Sequence, residues 1–128
     1  MQPQPEAALF VTWLPVPDRR LSPNARINWR HRASLTKSYR QAACIAACAS
    51  PMKWREVTAR LTFHFPDRRR RDHDNLAASF KSAWDGFVDA GLLVDDDRIT
   101  HLPTEIVCEP GCVPVVRVEV WPTERKGV

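Results

Sequence analysis

The sequence predicts a single α+β domain: one mixed β-sheet with two main helices packed on it, in the order β-loop-α-β-α-β-β. Three observations predict it. Residues 56–65, EVTARLTFHF, put Val57, Ala59, Leu61, Phe63 and Phe65 at alternate positions, the period of a strand. Residues 74–90 put Leu76, Phe80, Ala83, Trp84 and Phe87 at helical spacing, an apolar stripe that a sheet can bury. The chain of 128 residues, 44% of them apolar, has the size of one domain, spanning 1–128, and enough apolar side chains for a packed core.

The elements follow in order. Residues 8–15, ALFVTWLP, are apolar and β-branched enough for a first strand. Residues 16–33 hold Pro17, Pro23, Asn24 and Asn28 among scattered arginines and read as a basic loop. From about Ser34 to Ser50 the pattern is helical, stopped by Pro51. Pro66 ends the 56–65 strand. The second helix runs from about Asp74 to Ala90, with Asp72 or Asp74 as its N-cap and Gly91 just past its end. A strand near 102–108, a turn at Glu109-Pro110-Gly111 and a strand at 114–121 close the order.

Charge is unevenly placed. The net charge is +4, from 19 Lys and Arg against 15 Asp and Glu. Seven of the cations and no acid lie between Arg19 and Arg40, whereas eight of the acids lie between Asp67 and Asp97. An ordinary solvated surface is the bland reading; a polyanionic partner beside a local cation site is the sharper one. No stretch has the run of apolar residues that a membrane helix needs, and MQPQPEAALFVTWLP lacks the basic start and small-residue cleavage site of a signal peptide. A cytoplasmic location with reduced thiols is the expectation. The pairs Cys44/Cys48 and Cys108/Cys112 have a spacing that a four-cysteine zinc site can use, and equally one that buried helix thiols and a hairpin border would show.

Asp72 and Asp74 stand between a strand end and a helix start, where the helix dipole favours a carboxylate. On a straight helix at ~100° per residue, Lys81 falls within roughly 20° of Asp74, opposite the apolar stripe. Asp85 shares that polar face, so Lys81 and Asp85 can form an i,i+4 ion pair. Asp95, Asp96 and Asp97 follow once the chain leaves the helix at Gly91 and runs back toward the sheet. If that run approaches Asp72 and Asp74, at least three carboxylates converge. They repel unless a cation joins them, and an oxygen-only ligand set points to Mg²⁺ or Mn²⁺. The structural alternative is a helix cap and a solvated acidic turn. His64 and His73 are more often structural than catalytic in such settings. Trp29 and Tyr39, interleaved with arginines, are readable as base-stacking platforms or as core.

The strings PDRRRRDHDNL (66–76) and FKSAWDGFVDAGLLVDDDRI (80–99), with the basic LSPNARINWRHR (21–32), resemble the RusA family of Holliday-junction resolvases, common in bacteriophages and prophages. The resemblance implies a Mg²⁺-dependent, homodimeric endonuclease that resolves four-way DNA junctions in recombination and repair, with Mn²⁺ able to substitute. It implies that Asp72, Asp74 and Asp96 match the essential aspartates, Lys81 the active-site lysine, and Asp95 the neighbouring acid of the metal site. Asn24, Arg26, Arg30, Arg32, Lys37, Arg69 and Arg71 would then bind the DNA. The step from Asp74 to Lys81 is longer than in the familiar bacterial member, and Asp97 lengthens the acid pair, so Asp95, Asp96 and Asp97 compete for the third position. Two other readings stay open: a non-catalytic module that binds branched DNA by shape, and a zinc-stapled interaction protein built on the four cysteines.

Overall fold

The computed structural model describes residues 10–48 and 53–123; the side chain of Asp96 lies outside the described residues. So do the expected strand start at 8–9 and the helix stop at 49–51. Strand β1 (Phe10–Pro15) is followed by helix α1 (Trp29–Ala47), strand β2 (Val57–Phe65), helices α2 (His73–Ser79) and α3 (Lys81–Asp89), and strands β3 (Ile99–His101), β4 (Glu105–Cys108) and β5 (Val115–Pro122). This is the predicted order, with α2 and α3 forming one bent helix in place of a straight one.

The five strands make one mixed sheet with β2 at its centre. β5 pairs with β2 antiparallel on one side, and β1 pairs with β5 antiparallel beyond it. On the other side β3 and β4 both pair with β2 in parallel. Parallel pairing requires a long crossover, and α2–α3 supplies it between β2 and β3. The strand expected near 102–108 is therefore shortened to β4, and β3 is a separate short strand just before it. Leu102 N still donates to Ala59 O at 2.9 Å, but Pro103 has no N–H, and the ladder resumes only at Glu105.

Helix α1 begins earlier than the apolar pattern suggested. The Asn28 side chain accepts from Arg30 N at 2.8 Å and caps it. Trp29, Arg30 and Arg32 are thus helical, where a loop was expected. At the α2–α3 joint, Phe80 has φ −88° and ψ 0°, and its N–H donates to Ala77 O at 3.1 Å. The Phe80 ring is fully buried, edge-on to Tyr39 and Trp84. The bend invalidates the straight-helix angle between Asp74 and Lys81. Past α3, Gly91 takes φ +84°; its N–H meets Val88 O and that of Leu92 meets Phe87 O, both at 3.0 Å. Those two bonds complete the glycine-ended cap that the sequence indicated.

The core lies between one sheet face and the helices. Val57, Ala59, Leu61, Phe63 and Phe65 of β2 are buried beside Val116, Val118 and Val120 of β5, under Phe80, Ala83, Trp84 and Phe87. α1 crosses α3 at Gly86, where a Cβ would collide with the carbonyl oxygen of Arg40. Arg40 Nε and Asp89 Oδ2, 2.6 Å apart, tie the same two helices at the surface. On the opposite sheet face Glu119, 1% exposed, accepts from Arg60 Nε at 3.0 Å and Arg117 Nη2 at 2.7 Å. Among the described residues no helix is long and apolar enough to cross a membrane.

Candidate active site and nucleic-acid interface

β2 ends at Phe65, and the arginine run leaves the sheet immediately beyond it. The run folds onto Asp67. Asp67 Oδ1 accepts from Arg69 N and from Arg71 Nη2, both at 2.9 Å, while Arg71 Nη1 donates to Arg69 O at 3.0 Å. The Arg71 guanidinium lies 3.6 Å from the Phe65 ring centroid and is only 16% exposed. Backbone donation from Arg69, then side-chain donation from Arg71, holds the Asp67 carboxyl below its ordinary range. The acid that neutralises part of the arginine run is therefore Asp67, not Asp72 or Asp74.

Asp72 caps α2: its Oδ1 accepts from Asp74 N at 2.8 Å and from Asn75 N at 3.3 Å. Its second oxygen is left over for another partner. Asp74, in the first turn, has no side-chain hydrogen bond or ion pair among the described residues. Both carboxylates are exposed and line an open cleft of about 570 Å³ with Arg70, Arg71 and His73. The basic loop reaches the same place, because Asn24 Nδ2 donates to Asn75 Oδ1 at 3.4 Å. Arg32 Nη2 donates to Ser22 O and Ala25 O at 3.2 and 3.1 Å and so fixes that loop from within.

Lys81 stands at the helix joint. Its Nζ lies 2.9 Å from Asp85 Oδ1, the i,i+4 pair that the spacing allowed. It also borders a cavity of about 280 Å³ with Ala77, Ala78, Trp84 and His101. Asp95 caps a 3-10 turn at Asp96–Arg98, accepting from Asp97 N at 3.4 Å. That turn enters β3, whose Ile99 pairs with Val57 at the start of β2, whereas Asp72 and Asp74 follow the end of β2. α3 ends near the start of β2, where Trp54 N donates to Leu92 O at 2.9 Å. Lys81 thus occupies the middle of the path between the two acidic segments. Among the described residues no three His, Cys, Asp or Glu side chains gather. All four cysteines are among them, so the zinc alternative lacks its assembled site. The carboxylate convergence turns on Asp96, whose side chain lies outside the description.

The other candidates divide by exposure. Arg26, Arg30, Lys37 and Arg69 are exposed, and Arg30 lies over the Trp29 ring at 5.2 Å, with Trp29 itself 71% exposed. Tyr39 is core: its hydroxyl donates to Pro15 O at 2.6 Å, and burial pushes the phenol up. His64 Nδ1 meets Glu109 Oε1 at 2.7 Å, a structural tie between β2 and the turn after β4. Arg70, within the arginine run, lines the acidic cleft. The sequence reading missed Asn75, which joins cleft to loop. It also missed His101, which packs edge-on to Trp84 and is lowered by desolvation. Asn75 directly follows Asp74, and that adjacency was the available signal.

No family model matches the chain. It is 36% identical over 97 residues to an uncharacterized protein of Xylella fastidiosa (strain Temecula1), covering 70% of this chain and 62% of that one. It is 36% identical over 69 residues to the crossover junction endodeoxyribonuclease RusA of Shigella sonnei, covering 54% of this chain and 51% of that protein. It is 46% identical over 43 residues to RusA of Escherichia coli K12, covering 34% and 33%. Part of this chain is RusA-like. The matches span from a third to about three-fifths of the relatives' own length, and the RusA-like part covers about half of this chain at most.

Proposed function

We propose that this chain is a Mg²⁺-dependent endonuclease that cuts four-way DNA junctions, working as a homodimer in the bacterial cytoplasm. The observation that carries the reading is the pairing of Asp72 and Asp74 in one cleft with Arg70, in a chain that is RusA-like over part of its length. The two carboxylates suit a hard divalent cation in kind: both are oxygen donors, Asp74 is unpaired among the described residues, and Asp72 keeps one oxygen after capping α2. Asp96 is the proposed third donor, with Asp95 supporting it from the cap of its turn. A divalent ion held there supplies acidification of water and charge neutralisation at the phosphate.

The protein's own groups do the rest. Arg69 and Arg70, at the surface of the run, hold phosphate oxygens, as do Arg26, Arg30 and Lys37 along α1 and its loop. Arg71 and Arg32 keep those surfaces in shape, since each is spent on internal hydrogen bonds. Asn24 orients the loop against Asn75 beside the cleft. Lys81 gives a positive charge that stabilises the negatively charged transition state, exchanging Asp85 for the phosphate when DNA binds. A junction offers two equivalent strands, which a two-fold dimer can address together. Incubating the purified protein with a synthetic four-way junction and with a linear duplex, with and without Mg²⁺, tests the reading. Paired cuts in the junction alone, only with the metal, support it; junction binding without cutting would favour a shape-reading module.

A further inference from the structure

Beside the acidic cleft lies a second, smaller cavity of about 230 Å³ that the proposed chemistry does not use. Its walls are largely apolar: Val16, Pro17, Leu76 and Phe65. Asp72 and Arg71 line both it and the cleft, so the two share a wall. We propose that this cavity receives one unstacked nucleobase of the strand whose phosphate sits at the acidic cleft. The inference rests on the nuclease reading and deepens it.

Size, charge and polar groups choose the occupant. The cavity is below the range typical of drug-sized ligand sites, which suits a single flat ring. Exposed cations border it, Arg19 on its rim and Arg70 on the neighbouring cleft, so the occupant belongs to a polyanion. A lipid chain or an apolar peptide would leave those cations unanswered. A nucleotide places its base one sugar away from its phosphate, matching two openings that share a wall. Base faces pack on apolar and aromatic surface, and base edges need hydrogen-bond partners. Asn75 Nδ2 has no partner among the described residues, because the bond to Asn24 uses Asn75 Oδ1. Ser22 Oγ accepts from Asn24 N at 3.4 Å and keeps its proton to donate. Both groups line the cavity and offer donors to a ring carbonyl or ring nitrogen. Extruding a base costs least where pairing is already broken, as at a branch point.

The test places 2-aminopurine, one position at a time, at the nucleotides flanking the cleaved bond of a four-way junction. Fluorescence is read on binding without Mg²⁺, with affinity and Mg²⁺-dependent cleavage measured in parallel. A several-fold rise at one position is expected, with no rise at its neighbours. Val16→Trp and, as a second filler from the loop side, Ser22→Met should each remove the rise while keeping junction binding. An abasic nucleotide at that position should slow wild-type cleavage several-fold and leave the two variants, already slow, unchanged. Binding without a rise at any position would overturn the cavity assignment and leave the nuclease reading standing. So would a rise that persists in every variant that folds and binds. Binding with a rise but no cleavage would support the cavity and sink the nuclease. Failure to bind any DNA would sink both.

Discussion

Lys81 Nζ and Asp85 Oδ1 lie 2.9 Å apart at the joint between the two halves of the bent helix. Lys81 is exposed and Asp85 half-buried, so as an i,i+4 stability element the pair contributes about 0.5 kcal/mol. A catalytic Lys81 predicts something much larger. Lys81→Ala should slow single-turnover junction cleavage by about 100-fold or more, by analogy with other lost charge-stabilising donors. Melting temperature and junction affinity should scarcely move. Unchanged cleavage in a folded Lys81→Ala protein would reduce the lysine to the partner of Asp85.

Asp72 and Asp74 separate in a way the structure makes testable. Asp72→Ala removes the α2 cap and should cost about 1 kcal/mol of stability. Asp72→Asn keeps a capping oxygen, so its stability loss should be smaller, yet it removes a carboxylate from the cleft. Chemical denaturation of the two variants checks the cap, and cleavage checks the proposed metal site. Equal stability with equal activity would leave Asp72 without either role.

The arginine run should not behave as a uniform patch. Arg69→Ala and Arg70→Ala should each reduce the slope of log K against log salt by about one. Arg71→Ala should instead lower the melting temperature, because Arg71 packs on Phe65 and bonds Asp67 and Arg69. A salt slope that responds only to Arg71 would reverse these assignments.

The buried Glu119, held by the half-buried Arg60 and Arg117, gives a pH signature. Burial acts to raise Glu119, but donation from Arg60 and Arg117 outweighs it and the folded-state value is lowered from 4.5. Asp18 is lowered from 3.8 to about 2, chiefly by the Arg20 side chain. Both groups have a lower folded-state than unfolded-state pKa, so their contributions are present above the ordinary carboxylate range and fade as pH falls through and below it. The melting temperature should therefore drop on acidification below about pH 4.5. Glu119→Ala, which removes the acceptor shared by two partly exposed arginines, should cost about 2 kcal/mol at neutral pH. A melting temperature flat from pH 6 to pH 3 would contradict this account of the network.

What the sequence revealed follows from what its patterns encode. The period-two run of β2 and the stripe of Phe80, Trp84 and Phe87 report burial directly, and both sit where expected. Gly91 marked a helix end because its φ of +84° suits few other residues. The bend at Phe80 was not legible, because the apolar stripe continues through it. The early start of α1 was hidden because a capping asparagine stood among residues that also suit a loop. Adjacency in sequence put Asp72 and Asp74 in one cleft, but did not show which acid the arginines would choose. Asp67 wins because Phe65 pins Arg71 above the sheet end, a contact across a tight turn that no linear pattern records. The relation of Asp74 to Lys81 likewise depended on a helix being straight.

The central claim is that the Asp72–Asp74 cleft performs metal-dependent cleavage on DNA held by the surrounding arginines. Its most direct measurement compares wild-type protein with Asp74→Asn on one synthetic four-way junction, scoring binding and Mg²⁺-dependent cleavage side by side. The account predicts that the wild type cuts, that Asp74→Asn binds at least as tightly without cutting, and that neither cuts when the metal is removed. A wild-type protein that binds the junction yet leaves it intact at every Mg²⁺ and Mn²⁺ concentration would contradict it, as would an Asp74→Asn variant that cuts at the wild-type rate.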